Sequence, residues 1–317
     1  MIKKTTALYL CLAIAFSLVA CTVQGNKEGA KSESKVNVAV SFNALKEFAE
    51  AVGGDKVQVS TIVPDGVEAH DFEPKAQDLA YLSTADVFVY NGLGMESWAE
   101  NAIDAVKNDN LIVVVASDGA DLINIATTGD EVEFESNYEN ENEKHSNIGF
   151  DPHLWLGLKG AEAEAVNIKN GLVEADPENK EYYEANCTEF VSELNNLLEE
   201  YRDKFSLINE RSIVTGHAAF GYLCRDFGIT QKSVMNIYAG GEPSAQQLIK
   251  LVEYCKENNV TTIFAEEMAS PAISQTLANE VGAEVQAIFT MESSENGGTY
   301  LERMEENLLR IYESFSK

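Results

Sequence analysis

Residues 176–205 read DPENKEYYEANCTEFVSELNNLLEEYRDKF, an unbroken helical stretch with strand–helix alternation on both sides. Phe190, Leu194, Leu197 and Leu198 fall on one face at helical spacing, and Tyr183 and Cys187 extend the stripe. Asp176 suits the cap, Pro177 the first helical position and Glu178 the first turn. At about 1.5 Å per residue such a helix runs ~45 Å. The layout this predicts is lobe, long helix, lobe.

Before the helix, the apolar runs Val36–Phe42, Val57–Val63, Val87–Tyr90 and Leu111–Ala116 predict buried strands. Ala44–Val52, Pro74–Ser83 and Met95–Lys107 have helical spacing between them. After it, Ser212–Thr215, Ser233–Ile237, Thr261–Ala265 and Val285–Thr290 predict strands, and Ala219–Phe227, Ser244–Asn258 and Ala272–Val281 helices. The expected class is α/β, with a parallel sheet in each lobe. The expected boundaries are 35–175 for the N-terminal lobe, 176–205 for the linker helix and 206–317 for the C-terminal lobe. Residues 129–147, GDEVEFESNYENENEKHSN, break the pattern with seven acids, one Lys and one His. They predict an exposed acidic loop, and His145 within it a solvated residue.

The first twenty residues place Lys3 and Lys4 before an apolar run from Ala7 to Ala20. The run is short for a membrane span and has the pattern of a secretory signal. Leu18-Val19-Ala20-Cys21 resembles a bacterial lipobox, which makes 1–20 a lipoprotein signal, Cys21 the lipidated residue and the polar stretch 21–34 a flexible tether. A lipid chain anchors a protein to a membrane surface without spanning it, so the expected location is extracytoplasmic. The formal charge is −29, and losing Lys3 and Lys4 with the signal leaves −31. Such a chain repels nucleic acid and anionic lipid and attracts cations without selecting among them. Cys187, Cys224 and Cys255 have no metal-knuckle spacing, and an exported location permits a Cys224–Cys255 disulfide.

Three of the four histidines fall where ligands gather in open α/β sheets, at strand ends. His70, in VEAHDFEP, follows the second strand; His217, in TGHAAF, follows the strand SIVT; His153, in DPHLW, lies in a turn near the end of the first lobe. Taken singly, a surface loop, a helix cap and a packed core histidine explain them equally well. Together, on facing lobes, they make one clamp conceivable.

Several stretches carry a more specific signal: IVPDGVEAHDFEPKAQDLAYLSTADVFVYNGLGMESW, DPHLWLG, TGHAAFGYLCRDFGI, EPSAQQLIKLVEYCKENNVTTIFAEE and TYLERMEENL. In order and spacing the chain resembles the cluster A-I, or cluster 9, substrate-binding proteins of metal-importing ABC transporters, and among them the zinc-binding lipoproteins. The resemblance implies a metal between the lobes, held by His70, His153 and His217, with a carboxylate from the loop after the last strand. In IFTMESSENGGTY that carboxylate maps to Glu292, with Glu295 as the rival. It implies one Zn(II) per chain, a cognate permease with its ATPase as partners, and a monomer. Glu266 and Glu267 match a supporting acid of the family, Glu266 the better placed, and Asp71 and Asp151 neighbour ligand histidines and could orient them. The acidic loop departs from the family, where many zinc-type members have a His-rich loop instead.

Three imidazoles and one carboxylate suit Zn(II), whose closed sites are four-coordinate, whereas Mn(II) prefers more oxygen. Each imidazole binds metal only when neutral, so affinity is expected to fall through the imidazole range, about pH 6–7. Competing readings are a Mn(II)- or Fe(II)-importer component, an adhesin-type surface lipoprotein and an exported zinc hydrolase. The hydrolase is the weakest, because HExxH and G-x-S-x-G are absent from the sequence.

Overall fold

The computed structural model describes residues 35–125, 149–209, 211–238, 243–266, 271–294 and 297–316. Cys21, Glu267, Glu295, His145 and the acidic stretch 129–147 lie outside the described residues. In the first lobe, β1 (Val36–Val40), β2 (Val57–Thr61), β3 (Val87–Tyr90) and β4 (Ile112–Val115) form an all-parallel sheet of order β2-β1-β3-β4. Its central strands, VNVAV and VFVY, are apolar at all but one position because a parallel sheet is covered on both faces. The second lobe repeats the plan with β5 (Ser212–Thr215), β6 (Thr230–Ser233), β7 (Thr262–Glu266) and β8 (Glu284–Ile288), order β6-β5-β7-β8. The chain direction of the connections reverses between β1 and β3 and between β5 and β7, where such sheets open a crevice beyond the strand ends.

Helices α1 (Asn43–Gly53), α2 (Ala76–Leu82), α3 (Ala99–Val106) and α4 (Leu158–Ala175) serve the first lobe. α6 (Gly221–Phe227), α7 (Ala245–Glu257), α8 (Pro271–Val281) and α9 (Tyr300–Ser314) serve the second. Between them runs α5 (Lys180–Ser206), 27 residues or ~40 Å long. It buries Tyr183, Cys187, Phe190, Leu194, Leu198, Tyr201 and Phe205, a stripe at steps of three and four. That stripe packs on α1 and α4 from one lobe and on α6 and α9 from the other. One apolar core therefore runs from Val38 and Phe48 through α5 to Tyr300 and Met304. Rotating the lobes apart would expose it to water, which opposes a wide hinge.

Two expectations need correction, and a pairing that the sequence left open is absent. Asp176 does not cap the helix through a backbone N–H; its Oδ2 accepts from Tyr183 Oη at 2.8 Å and Asn179 Nδ2 at 2.6 Å, and Pro177–Asn179 form a separate 3-10 turn. The strand expected at 233–237 lies at Thr230–Ser233. It is an edge strand, where polar residues keep out further pairing, so the apolar run was the wrong marker. Beyond it Met235 N still donates to Gly216 O at 2.8 Å, while the chain curls round the His217 turn. No disulfide joins Cys224 to Cys255: both thiols are free and buried, Cys224 in the main core and Cys255 in the cluster behind β7.

Candidate metal centre

Four loops meet at the crevice. His70 sits in the 3-10 turn Ala69–Asp71 after β2. His153 precedes the 3-10 turn Leu154–Leu156 that leads into α4. His217 follows β5, and Glu292 follows β8. His153 is wholly buried and central: its Nε2 lies 3.1 Å from His70 Nε2 and 3.4 Å from His217 Nε2. These are the separations of neighbouring corners of a zinc tetrahedron, about 3.3 Å for bonds of about 2.0–2.1 Å. As the side chains stand, no set of three or more His, Cys, Asp or Glu among the described residues surrounds a common centre.

Two imidazoles are aimed by carboxylates. Asp151 Oδ1 accepts from His153 N and lies 2.9 Å from both that nitrogen and His153 Nδ1. Glu266 Oε1 accepts from His217 N at 2.9 Å and stands 3.5 Å from His217 Nδ1. A proton on each Nδ1 leaves the Nε2 lone pair for a cation. The His217 turn is fixed further, its carbonyl accepting from Thr215 Oγ1 at 2.6 Å and Gln231 Nε2 at 3.1 Å. Asp71, by contrast, is exposed and forms no hydrogen bond with His70.

Two glycines make room for the aiming carboxylates. A Cβ on Gly216 would collide with Glu266 Oε2, and one on Gly221 would come within 2.6 Å of Asp151 Oδ2. Gly216→Ala is therefore expected to displace Glu266, misorient His217 and lower zinc affinity about 10–100-fold, the usual cost of losing an outer hydrogen bond. Competition with a fluorescent zinc indicator reads this, and unchanged affinity would refute the close-approach argument.

Glu292 is buried, and its Oε2 accepts from Ala69 N at 3.3 Å, which ties it to the turn that bears His70. Glu68 was missed from sequence. Its carboxyl hydrogen-bonds Glu292, feels the charge of His217, and is raised mainly by burial. Nothing in VEAHDFEP separates Glu68 from Asp71 or Glu73 until the 3-10 turn is known. Tyr238, also missed, sets its ring edge-on to His70 with centroids 5.7 Å apart.

Burial first, then the charges of His153 and His217, pushes His70 down to about 2. Burial, with the charge of His217, holds His153 well below the usual imidazole range. His217 goes the other way: burial would lower it, but the Glu266 hydrogen bond and the charges of Glu266, Glu68 and Asp151 outweigh that and raise it. Burial raises Asp151 to about 7 against the His153 N–H that it accepts. Two of the three imidazoles are thus neutral donors at any physiological pH.

The family model of the periplasmic zinc-uptake complex component A matches residues 38–314. A Treponema pallidum (strain Nichols) protein, provisionally named as metal-binding, is 42% identical over 89% of this chain and 88% of its own length. The Bacillus subtilis (strain 168) high-affinity zinc uptake system protein ZnuA is 36% identical over 99% of this chain and 98% of its own. Among solved structures, the laminin-binding protein Lmb of Streptococcus agalactiae, described as bifunctional with adhesin and metal-transporting activity, superposes with TM-score 0.77. It is 32% identical and covers 89% of this chain and 100% of its own. With a family model spanning nearly all of its described length and relatives matched end to end, this chain belongs to the zinc-uptake component A family of solute-binding proteins.

Proposed function

We propose that the chain captures Zn(II) outside the cytoplasm and delivers it to an ABC permease for import. The proposed ligands are His70, His153, His217 and Glu292, one ion per chain. One observation carries the reading: three imidazole nitrogens from three separate loops within 3.4 Å of their neighbours. The family is one of transport components, not enzymes. Capture needs little rearrangement of the buried pair His153 and His217, whose carboxylates already aim them. With α5 and the shared core opposing lobe rotation, entry and exit fall to the loops, above all to the partly exposed His70. The permease and its ATPase would receive the ion from a monomer. Acylation at Cys21, with 1–20 removed and 21–34 as tether, would keep it at the membrane; no helix among the described residues is long and apolar enough to cross one.

Proton release tests the reading. His70 and His153 are lowered and give up no proton to zinc near neutrality, whereas His217 is raised and must lose one. Affinity is therefore expected to fall about tenfold per pH unit below the raised His217 range, a slope of one proton and not three. Calorimetry in buffers of different ionisation enthalpy, with elemental analysis, should give one zinc per chain and fewer imidazole protons released on the acid side of neutrality than three unshifted histidines would give. A slope near three, or a zinc count unaffected by removing all three imidazoles, would sink the ligand set. A second reading, surface adhesion, is favoured by the description of Lmb. Binding to immobilised laminin that persists after zinc chelation would carry it.

A further inference from the structure

The arm 62–72, which bears His70, and the loop 290–294, which bears Glu292, come from opposite lobes yet are stitched together. The arm leaves the first sheet after Ile62 N donates to Val40 O and Val63 N to Ser41 O, both at 2.9 Å. Beyond that point it turns to the other lobe. Ser294 N donates to Asp65 Oδ1 at 2.9 Å and Ser294 Oγ to Asp65 Oδ2. Ser293 Oγ reaches Asp65 Oδ1 at 3.4 Å and accepts from Gly66 N at 3.1 Å. The backbone N–H and hydroxyl of Ser294 hold the Asp65 carboxyl below its ordinary range, so it is a charged acceptor at neutral pH.

The loop itself is pinned from its other side. Trp155 Nε1 donates to Thr290 O at 2.7 Å, Asn43 N to Glu292 O at 3.2 Å and Arg303 Nη1 to Ser293 O at 2.7 Å. Arg303, buried, also pairs with Glu47 on α1. The loop is therefore the fixed partner and the arm the one that can lift. His153 and His217 are buried, whereas His70 is only partly so, which puts the way out on the arm's side.

We propose that Asp65, through Ser294, is a positioning residue that fastens the His70 arm to the Glu292 loop and sets the rate at which a bound divalent cation leaves. This rests on the reading that His70 and Glu292 are ligands. Releasing the cation requires His70 to swing away, and the Asp65–Ser294 bonds must break for the arm to do so. Capture uses the same path, but the arm need not be fastened when the cation arrives at the buried imidazoles. The clasp therefore acts on dissociation.

The test uses the full chain loaded with one equivalent of zinc and mixed rapidly with excess chelator, beside stopped-flow association of zinc with the metal-free protein. Asp65→Ala and Ser294→Ala should each raise the dissociation rate about tenfold, the order expected for a charge-assisted hydrogen bond, with association changed less than about twofold. The double variant should dissociate no faster than the faster single one, since both remove the same bonds. Asp65→Asn, which keeps an acceptor for Ser294 N, should fall between. Unchanged dissociation in the single variants, or association slowed as much as dissociation is quickened, would overturn the clasp. His70→Ala separates the two layers: retained tight binding there would overturn the ligand reading, whereas lost binding there with normal release in Asp65→Ala would overturn the clasp alone.

Discussion

His153→Ala is expected to weaken zinc binding by more than about a hundredfold, beyond the 10–100-fold typical of losing an outer partner. Three features set His153 apart from the other imidazoles. It is wholly buried, so no water replaces its nitrogen without opening the core behind the turn. It is the one imidazole in contact with both of the others, so removing it breaks both nitrogen–nitrogen edges at once. Its ring is aimed by Asp151, which in the variant would keep the backbone N–H of residue 153 but lose its contact with Nδ1. An alanine there removes one hydrogen bond from a buried acid, which costs about 1 kcal/mol of stability in the metal-free protein. His70→Ala, at the partly exposed arm, should cost less in stability, since water can reach the vacated position. Isothermal titration with zinc and denaturant melts of the metal-free proteins read both effects. A His153→Ala variant that held zinc within tenfold of the parent would remove His153 from the ligand set.

Much of this site was legible in the sequence because parallel α/β sheets put their loops at predictable places. His70, after the run VQVSTIV, and His217, after SIVT, had to emerge at strand C-terminal ends once those runs were strands. The long stripe from Tyr183 to Phe205 fixed the helix between the lobes. What stayed hidden depends on contacts between segments far apart in the chain. Glu68 and Asp71 flank His70 on the same short turn, and only the fold turns Glu68 toward Glu292 and Asp71 toward solvent. Gly216 gives no sign that a carboxylate from β7 will press against it. The strand Thr230–Ser233 was hidden because an edge position asks for polar residues, and Gln231 spends its amide on the His217 carbonyl. Whether Cys224 and Cys255 pair was open in the sequence for a related reason: each thiol belongs to a different apolar cluster, which spacing does not reveal.

Glu164→Met is expected to stabilise the metal-free protein, against the usual sign for a core substitution. Glu164 lies on α4 and is wholly buried. Neither carboxylate oxygen has a hydrogen-bond partner among the described residues. Its charged neighbour is another buried acid, Glu96, which is itself fully engaged by Ser41 Oγ at 2.6 Å, Asn91 N at 2.9 Å and Gly92 N at 3.0 Å. Burial first, then the charge of Glu96, raises Glu164 well above the carboxylate range. In the unfolded chain the same group ionises near its ordinary value, about 4.3. Above that value folding must therefore keep a proton that the unfolded chain has lost, and stability falls as pH rises toward the folded value. Methionine has similar volume, carries no proton and leaves no orphaned acceptor. Its advantage should thus grow between pH 5 and pH 8 and lie within the about 1–4 kcal/mol seen when buried charges give way to apolar groups. Chemical denaturation of both proteins at the two pH values, with chelator present, measures it. A methionine variant less stable than the parent at pH 8, or a difference that does not change with pH, would mean that Glu164 has a partner that keeps it ionised. Zinc affinity should be unchanged in this variant, because Glu164 belongs to the scaffold beneath the loops and not to the ring of imidazoles above them.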